Sequence, residues 1–197
     1  MEWTGARYAD KPTVEVETFI EAPPAAVWAF VADVSLMPSM SPELQRVEWQ
    51  DGATGPSVGA TFIGYSKHDA LGEWHTTSTV IEYAPEHLFA WAVQDPEEPT
   101  AIWRFTLEPR GSGTTLRQWM QMGPARSGLS FAIDRMPDKE QKIVFVRMRE
   151  FETNMAGTLA AIKERVESRI ESGTESRTES GTDSGTDSTD ATSSASV

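Results

Sequence analysis

Three histidines are the side chains of this sequence best suited to acid–base chemistry or metal binding, namely His68, His75 and His87. Metal sites in proteins use short, fixed spacings of histidine and acidic residues, and none of those spacings occurs here. His68 and His75 flank a predicted hairpin turn together with Asp69 and Glu73, where polar side chains are ordinarily solvated. We therefore expect no metal site and no bound cofactor. His75 is still a candidate general base, because imidazole titrates near neutral pH.

A general base must reach the ligand, so the face on which His75 lies decides its role. One face of the predicted strand carries Trp74, Thr76, Ser78 and Val80, and the other carries His75, Thr77, Thr79 and Ile81. Both faces contain apolar residues, which makes a β-bulge compatible with the pattern. Because Trp74 and Val80 are the larger coherent pair, we expect the first face to be internal. His75 would then point outward.

Polar side chains that face an apolar interior are informative, because burying them without a partner is costly. Gln118 shares its predicted strand face with Leu116 and Met120, so we expect it to point inward. A few such groups in an apolar pocket fix the orientation of a ligand. The other polar candidates are Tyr65, Thr76 and Ser78. No pair of carboxylates stands out among the inward positions, which disfavours a two-acid mechanism.

Tryptophan is abundant, with seven residues in the chain. Aromatic side chains supply large buried areas, so an ordinary core accounts for many of them. Trp74, Trp91 and Trp103 lie in predicted strands, where a ligand-stacking wall accounts for them equally well. The complete predicted ligand-binding set is Tyr65, Trp74, Thr76, Ser78, Trp91, Trp103, Gln118, Met120, Phe151 and Met155.

Composition and charge exclude several classes of function. The chain has 197 residues, no cysteine and a formal charge of −13. The lack of cysteine excludes disulfides, thiolate metal sites and cysteine nucleophiles. Nucleic-acid binding needs clustered Lys and Arg, and an anionic membrane would repel this charge. No apolar run approaches the ~20 residues of a spanning helix, and the first residues lack the pattern of a secretory signal. We expect a soluble, cytoplasmic protein that neither inserts into membranes nor binds nucleic acid.

The elements that position these residues follow from hydrophobic periodicity. Alternation predicts a first strand at residues 13–20, and Pro23-Pro24 opens a short helix that precedes a turn or second short helix at residues 33–42. Further strands are predicted at 44–50, 60–67, 73–83, 87–94, 100–108 and 114–122. A short helix is predicted within 124–137, and Asp138 is the predicted N-cap of a long final helix. An apolar stripe on that helix comprises Val144, Met148, Phe151, Met155, Leu159, Ile162 and Val166. Runs of strands followed by a helix indicate an α+β fold.

This order of elements resembles the SRPBCC superfamily, the START-like helix-grip fold. The segments that carry the resemblance are 14–20, 22–33, 74–80, 85–91, 103–109 and 113–116, together with the final helix. The chain most resembles the bacterial polyketide cyclase/dehydrase and lipid-transport type. The resemblance implies a curved antiparallel sheet wrapped around the long C-terminal helix, with two short helices after the first strand. It also implies a deep, largely apolar cavity for a lipid-like or polycyclic small molecule.

Three segments are expected along the chain. Residues 1–11 form an N-terminal extension, residues 12–170 form the ligand-binding domain, and residues 171–197 form an acidic, Ser/Thr-rich tail. The tail has a four-residue near-repeat and almost no apolar side chains, so we expect it to be disordered. A solubilising terminus is the favoured interpretation of the tail, and a phosphorylation platform is the alternative.

Three functions fit the sequence, from different classes. The first is binding or carrying of a hydrophobic small molecule in an internal cavity, without catalysis. The second is an aromatic polyketide cyclase/dehydratase-type enzyme, in which His75 with Gln118 or Tyr65 would remove a proton next to a carbonyl. The third is a protein-interaction module of the chaperone-activator type, which requires a filled core and an exposed apolar patch. The enzyme hypothesis has a simple test, since His75 must reach the same cavity as Gln118.

Overall fold

The structure is a computed structural model that describes residues 1–180, with side chains described through residue 172. Its main feature is one sheet of seven antiparallel strands in the spatial order β1-β7-β6-β5-β4-β3-β2. The strands are β1 Thr13–Ile20, β2 Leu44–Trp49, β3 Thr61–His68, β4 Gly72–Ala84, β5 Leu88–Val93, β6 Ala101–Arg110 and β7 Gly113–Met122. Strands β2 to β7 form a meander, in which each strand pairs with its neighbour in sequence. The first strand, β1, pairs with the last, β7.

Helices occupy the two connections predicted to contain them and the C-terminal region. They are α1 Pro24–Val31, α2 Gly128–Arg135 and α3 Glu140–Ser180, and a 3-10 helix spans Val34–Ser39 after α1. Asp138, the predicted N-cap of the long helix, lies instead in a 3-10 turn at Pro137–Lys139 that leads into α3. The predicted helix-grip α+β fold, with two short helices after the first strand, is confirmed.

The apolar stripe of α3 packs against the inner face of the sheet. Val144, Met148, Met155, Leu159, Ile162 and Val166 are each at most 2% exposed, and Phe151 between them is half-buried. Steps of three and four residues place these side chains on one side of a helix. Fully burying each of them contributes about 1.5–3 kcal/mol, so the stripe is a principal source of stability.

A β-bulge in β4 changes which side chains face the core. The register between β4 and β5 shifts between Val80 and Glu82, so that Val80 pairs with Trp91 and Tyr83 pairs with Phe89. The extra residue lets Val80 and Tyr83 both face inward, although they are three positions apart and would lie on opposite faces of a regular strand. The sequence pattern of this strand, with apolar residues on both faces, was compatible with a β-bulge, and the bulge is present.

A line of polar contacts ties α3 to the segment between the 3-10 helix and β2. Arg147 Nη1 and Nη2 each donate to the Glu43 carboxylate at 2.7 Å, and Asn154 Nδ2 donates to Glu43 Oε1 at 3.0 Å. Farther along the helix, Thr158 Oγ1 donates to the Met40 carbonyl at 3.0 Å. Residues 40–43 are therefore held against α3.

The final helix continues past residue 170, where the sequence predicts the domain to end. It is described through Ser180. Most of the predicted tail, residues 181–197, lies outside the described residues, and the disorder expected there stays a prediction.

Candidate functional site

The inner face of the sheet presents rows of side chains to α3, and two adjacent rows carry aromatic residues. Through consecutive register pairs, Met120 of β7, Trp103 of β6, Trp91 of β5 and Val80 of β4 lie side by side. The neighbouring row places Gln118 beside Phe105, and Phe105 beside Phe89. We call the set Phe62, Phe89, Trp91, Trp103, Phe105 and Phe151 the aromatic wall.

Ring contacts make the aromatic wall continuous. Trp91 and Trp103 stack with centroids 6.4 Å apart and an interplanar angle of 13°. Phe151 of α3 meets Trp103 edge-on at 5.4 Å, and Phe62 meets Trp91 at 6.1 Å. Offset and edge-on pairs of this kind are favourable, and their rigid rings offer a flat surface to another π-system. Trp103 and Phe151 are only half-buried although they face each other across the interior.

Most of the predicted ligand-binding residues come together on this inner side. Ser78, Trp91, Gln118, Met120 and Met155 are buried there. Trp74 and Thr76 share the inward parity of Ser78 and are half-buried, closer to the β3–β4 hairpin. The β4 face predicted to be internal, which carries Trp74, Thr76, Ser78 and Val80, is the face that lies toward α3.

Tyr65 is the exception, because it lies on the outer face of the sheet. Its hydroxyl donates to Glu48 Oε2 at 3.0 Å, and the Arg46 guanidinium lies 3.7 Å from its ring centroid. The inward position next to it belongs to Gly64, where a Cβ atom would lie 3.2 Å from Leu44 Cδ1. The inward orientation expected for Tyr65 is thus corrected: the inner side has little room there, and the larger side chain faces out.

His75 also lies on the outer face, where it is exposed and pairs across strands with Tyr65 at a ring distance of 5.8 Å. His75 and Gln118 are therefore on opposite faces of the sheet. A mechanism in which these two side chains act on one ligand is excluded by this geometry.

Arg147 is the residue of the interior that sequence reasoning missed. It is 7% exposed, forms its bidentate pair with Glu43, and donates from Nη1 to Glu150 Oε2 at 2.9 Å. Its guanidinium carbon lies 4.1 Å from the Phe151 centroid, so it stacks on the end of the aromatic wall. Burial by itself would lower the pKa of Arg147, but hydrogen bonds to Glu43 and Glu150 outweigh burial and raise the pKa above its ordinary value. Its position four residues before Phe151 on the apolar stripe was the available signal.

A polar cleft of about 490 Å³ opens to the surface beside this ion pair. Glu43, His68, Glu150 and Asn154 are among its lining residues. His68 Nδ1 accepts a hydrogen bond from Ala70 N at 3.1 Å, and its Nε2 lies 3.7 Å from Glu150 Oε2. Glu43 and Glu150, which line the cleft, are the two carboxylates that accept from Arg147. The enclosed apolar cavity expected from the sequence stays a prediction.

The residues that the structure describes contain no group of three His, Cys, Asp or Glu side chains placed to hold a metal ion. None of the described helices is long and apolar enough to cross a membrane.

Comparison with known proteins places the chain among relatives of the same architecture. The family model for polyketide cyclase / dehydrase and lipid transport matches residues 11–171. No curated protein sequence matches significantly. The solution structure of the Polyketide_cyc-like protein Cgl2372 from Corynebacterium glutamicum is 31% identical, with 81% of this chain and 93% of that chain covered and a TM-score of 0.59.

Two more distant structures show the fold. The Zhui aromatase/cyclase from Streptomyces sp. R1128 is 17% identical, with 81% of this chain and 95% of that chain covered and a TM-score of 0.59. The di-domain ARO/CYC StfQ from the steffimycin biosynthetic pathway is 16% identical, with 80% of this chain and 51% of that chain covered and a TM-score of 0.63. With a family model spanning most of its length and a relative similar in both sequence and structure, the chain belongs to the polyketide cyclase / dehydrase and lipid transport family.

Proposed function

We propose that this domain binds and carries a hydrophobic small molecule, lipid-like or polycyclic, against the aromatic wall between the sheet and α3. The observation that carries the proposal is the incomplete burial of the wall. Trp103 and Phe151 face the interior, yet both keep part of their surface exposed. Apolar surface that faces inward without being covered favours an apolar ligand, because covering it removes that surface from water.

The polar groups of the site suit binding better than catalysis. Gln118 and Ser78 are uncharged side chains that orient a ligand but do not exchange protons at neutral pH. Arg147 is held by two carboxylates, which leaves it little capacity to act as an acid. The cyclase/dehydratase hypothesis relied on His75 in the same cavity as Gln118, and the two are on opposite sheet faces. The interaction-module hypothesis has less support, since the aromatic wall faces α3.

The proposal is tested by ligand retention and by probe uptake on the full chain. Comparison of the native mass with the denatured mass would reveal a molecule that copurifies with the protein. A titration with N-phenyl-1-naphthylamine, a neutral aromatic probe, would then measure an apparent Kd from its fluorescence. We expect saturable binding at one site per chain.

A pair of matched variants locates the binding site. Thr76→Trp enlarges a side chain on the inner face of β4, two residues from Ser78, which pairs with Phe62 of the aromatic wall, whereas Thr77→Trp puts the same side chain on the exposed outer face of the same strand. We expect Thr76→Trp to weaken binding about tenfold or more, and Thr77→Trp to leave it unchanged. Equal effects of the two variants, or no saturable binding by the unmodified chain, would overturn the proposal.

A further inference from the structure

Gln118 differs from comparably buried polar side chains of the described structure. It is 7% exposed, and its Oε1 has no hydrogen-bond partner among the described residues. The buried hydroxyls of Thr114 and Thr158, in contrast, donate to the carbonyls of Ala22 and Met40 at 2.7 and 3.0 Å. The fold satisfies those buried groups itself and leaves the Gln118 oxygen without a partner.

An unpaired acceptor in this position needs an explanation, because a buried carbonyl that loses its hydrogen bond to water weakens the folded state. Gln118 lies between Val16 of β1 and Phe105 of β6 on the inner face, beside the row that contains Met120 and Trp103. None of these neighbours offers a side-chain donor directed at Oε1. A hydrogen-bond donor on a molecule seated against the aromatic wall would supply the partner that Gln118 Oε1 lacks.

The charges of the interior limit which ligand group could donate to Gln118 Oε1. Arg147 is the one charged side chain among the buried residues that the structure describes, and Glu43 and Glu150 already neutralise it. A ligand carboxylate or phosphate would therefore meet no free cation there, and a ligand ammonium would meet no free carboxylate. A neutral hydroxyl or N–H group satisfies an amide oxygen without burying a further charge.

We propose that Gln118 Oε1 accepts a hydrogen bond from a neutral hydroxyl or N–H group of an aromatic ligand seated against the aromatic wall. The site then selects aromatic molecules that carry such a donor, phenols for example, over hydrocarbons and over ethers of the same size. This inference rests on the proposed function, since the donor must be held next to the same wall.

Three probes of similar shape test it on the full chain by equilibrium dialysis: 2-naphthol, which donates; 2-methoxynaphthalene, which only accepts; and naphthalene, which does neither. We expect 2-naphthol to bind about 3–10-fold more tightly than the other two. Gln118→Met replaces the amide by an unbranched apolar side chain, and in this variant the three probes should bind with about equal affinity. Gln121→Met, on the outer face of the same strand, is the matched control and should keep the preference of the unmodified chain.

A second measurement concerns the unliganded protein. Because the structure assigns no partner to Oε1, Gln118→Met should have a Tm equal to or above that of the unmodified chain. A clearly lower Tm, reproduced by Gln118→Leu, would mean that the oxygen is bonded within the protein and would overturn the inference.

The possible failures are distinguishable. If all three probes bind but the preference for 2-naphthol is absent, or survives in Gln118→Met, the inference is wrong and the proposed function stands. A preference for 2-methoxynaphthalene would show that the amide donates instead of accepting. If none of the probes binds, the proposed function fails, and the inference fails with it.

Discussion

The buried pair of Glu43 and Arg147 is the residue-scale feature with the largest expected effect on stability. Breaking a buried ion pair leaves an uncompensated charge and costs about 3–5 kcal/mol, whereas removing both partners is often nearly neutral. Glu43 also accepts from Asn154, so its loss would leave the Thr158 hydrogen bond to the Met40 carbonyl as the remaining polar contact, among the described residues, between residues 40–43 and α3. We expect Glu43→Leu to lower the free energy of unfolding by about 3 kcal/mol, and the double variant with Arg147→Met to recover most of that loss.

Urea denaturation monitored by circular dichroism measures both free energies. Arg149→Met, at an exposed position on the same helix, is the control and should change stability by less than about 0.5 kcal/mol. If the double variant is no more stable than Glu43→Leu, the coupling between the two side chains is small and this account of the pair is wrong.

A second residue-scale prediction concerns pH. Arg117 lies between Glu17 and Glu108, with Nη1 at 2.7 Å from Glu108 Oε1, and the hydrogen bond from Arg117 lowers the pKa of Glu108. The Glu108 carboxylate therefore binds a proton less readily in the folded chain than in the unfolded chain. Its interaction with Arg117 stabilises the fold at neutral pH, and this stabilisation is lost as the pH falls through the lowered pKa of Glu108. In an NMR titration of the side-chain carboxyl, Arg117→Met should return the pKa of Glu108 to the ordinary glutamate range. Arg110→Met is the comparison variant and should leave it lowered.

At the scale of elements, we expect replacement by alanine to have opposite effects on stability at two glycines, Gly113 and Gly157. A Cβ on Gly113, at the start of β7, would lie 2.5 Å from the Ile20 carbonyl oxygen, whereas a Cβ on Gly157, on the exposed side of α3, would contact nothing within 4 Å. We expect Gly113→Ala to destabilise by about 1–3 kcal/mol through this clash. Gly157→Ala should stabilise by about 0.5–1 kcal/mol, because alanine is the better helix former. Urea midpoints of the two variants check both signs, and a shared direction would contradict this prediction.

The elements themselves were predictable because strands such as β1 and β7 carry a period of two, β5 is a short apolar run, and the final helix has a period near 3.6. The face of β4 also followed from sequence, since Trp74 and Val80 formed a coherent pair. The face of β3 did not follow, because the sequence offers Ile63 and Tyr65 as the larger side chains while the curved sheet places Gly64 inward against Leu44. Arg147 was missed for a related reason: its partner Glu43 is more than one hundred residues away, and single-chain periodicity carries no information about such a contact.

For the whole molecule, the described contacts of α3 indicate where the stable unit ends. The buried stripe reaches Val166, which is 1% exposed, and Ile162 one turn earlier is equally buried. Removing residues 181–197 should therefore leave the urea midpoint and probe binding unchanged. Removing everything after Leu159 deletes both buried side chains, which together contribute about 3–6 kcal/mol, and should unfold much of the protein population. A lower midpoint on removing residues 181–197 would instead mean that this segment packs on the domain, and it would place the end of the stable unit beyond Ser180.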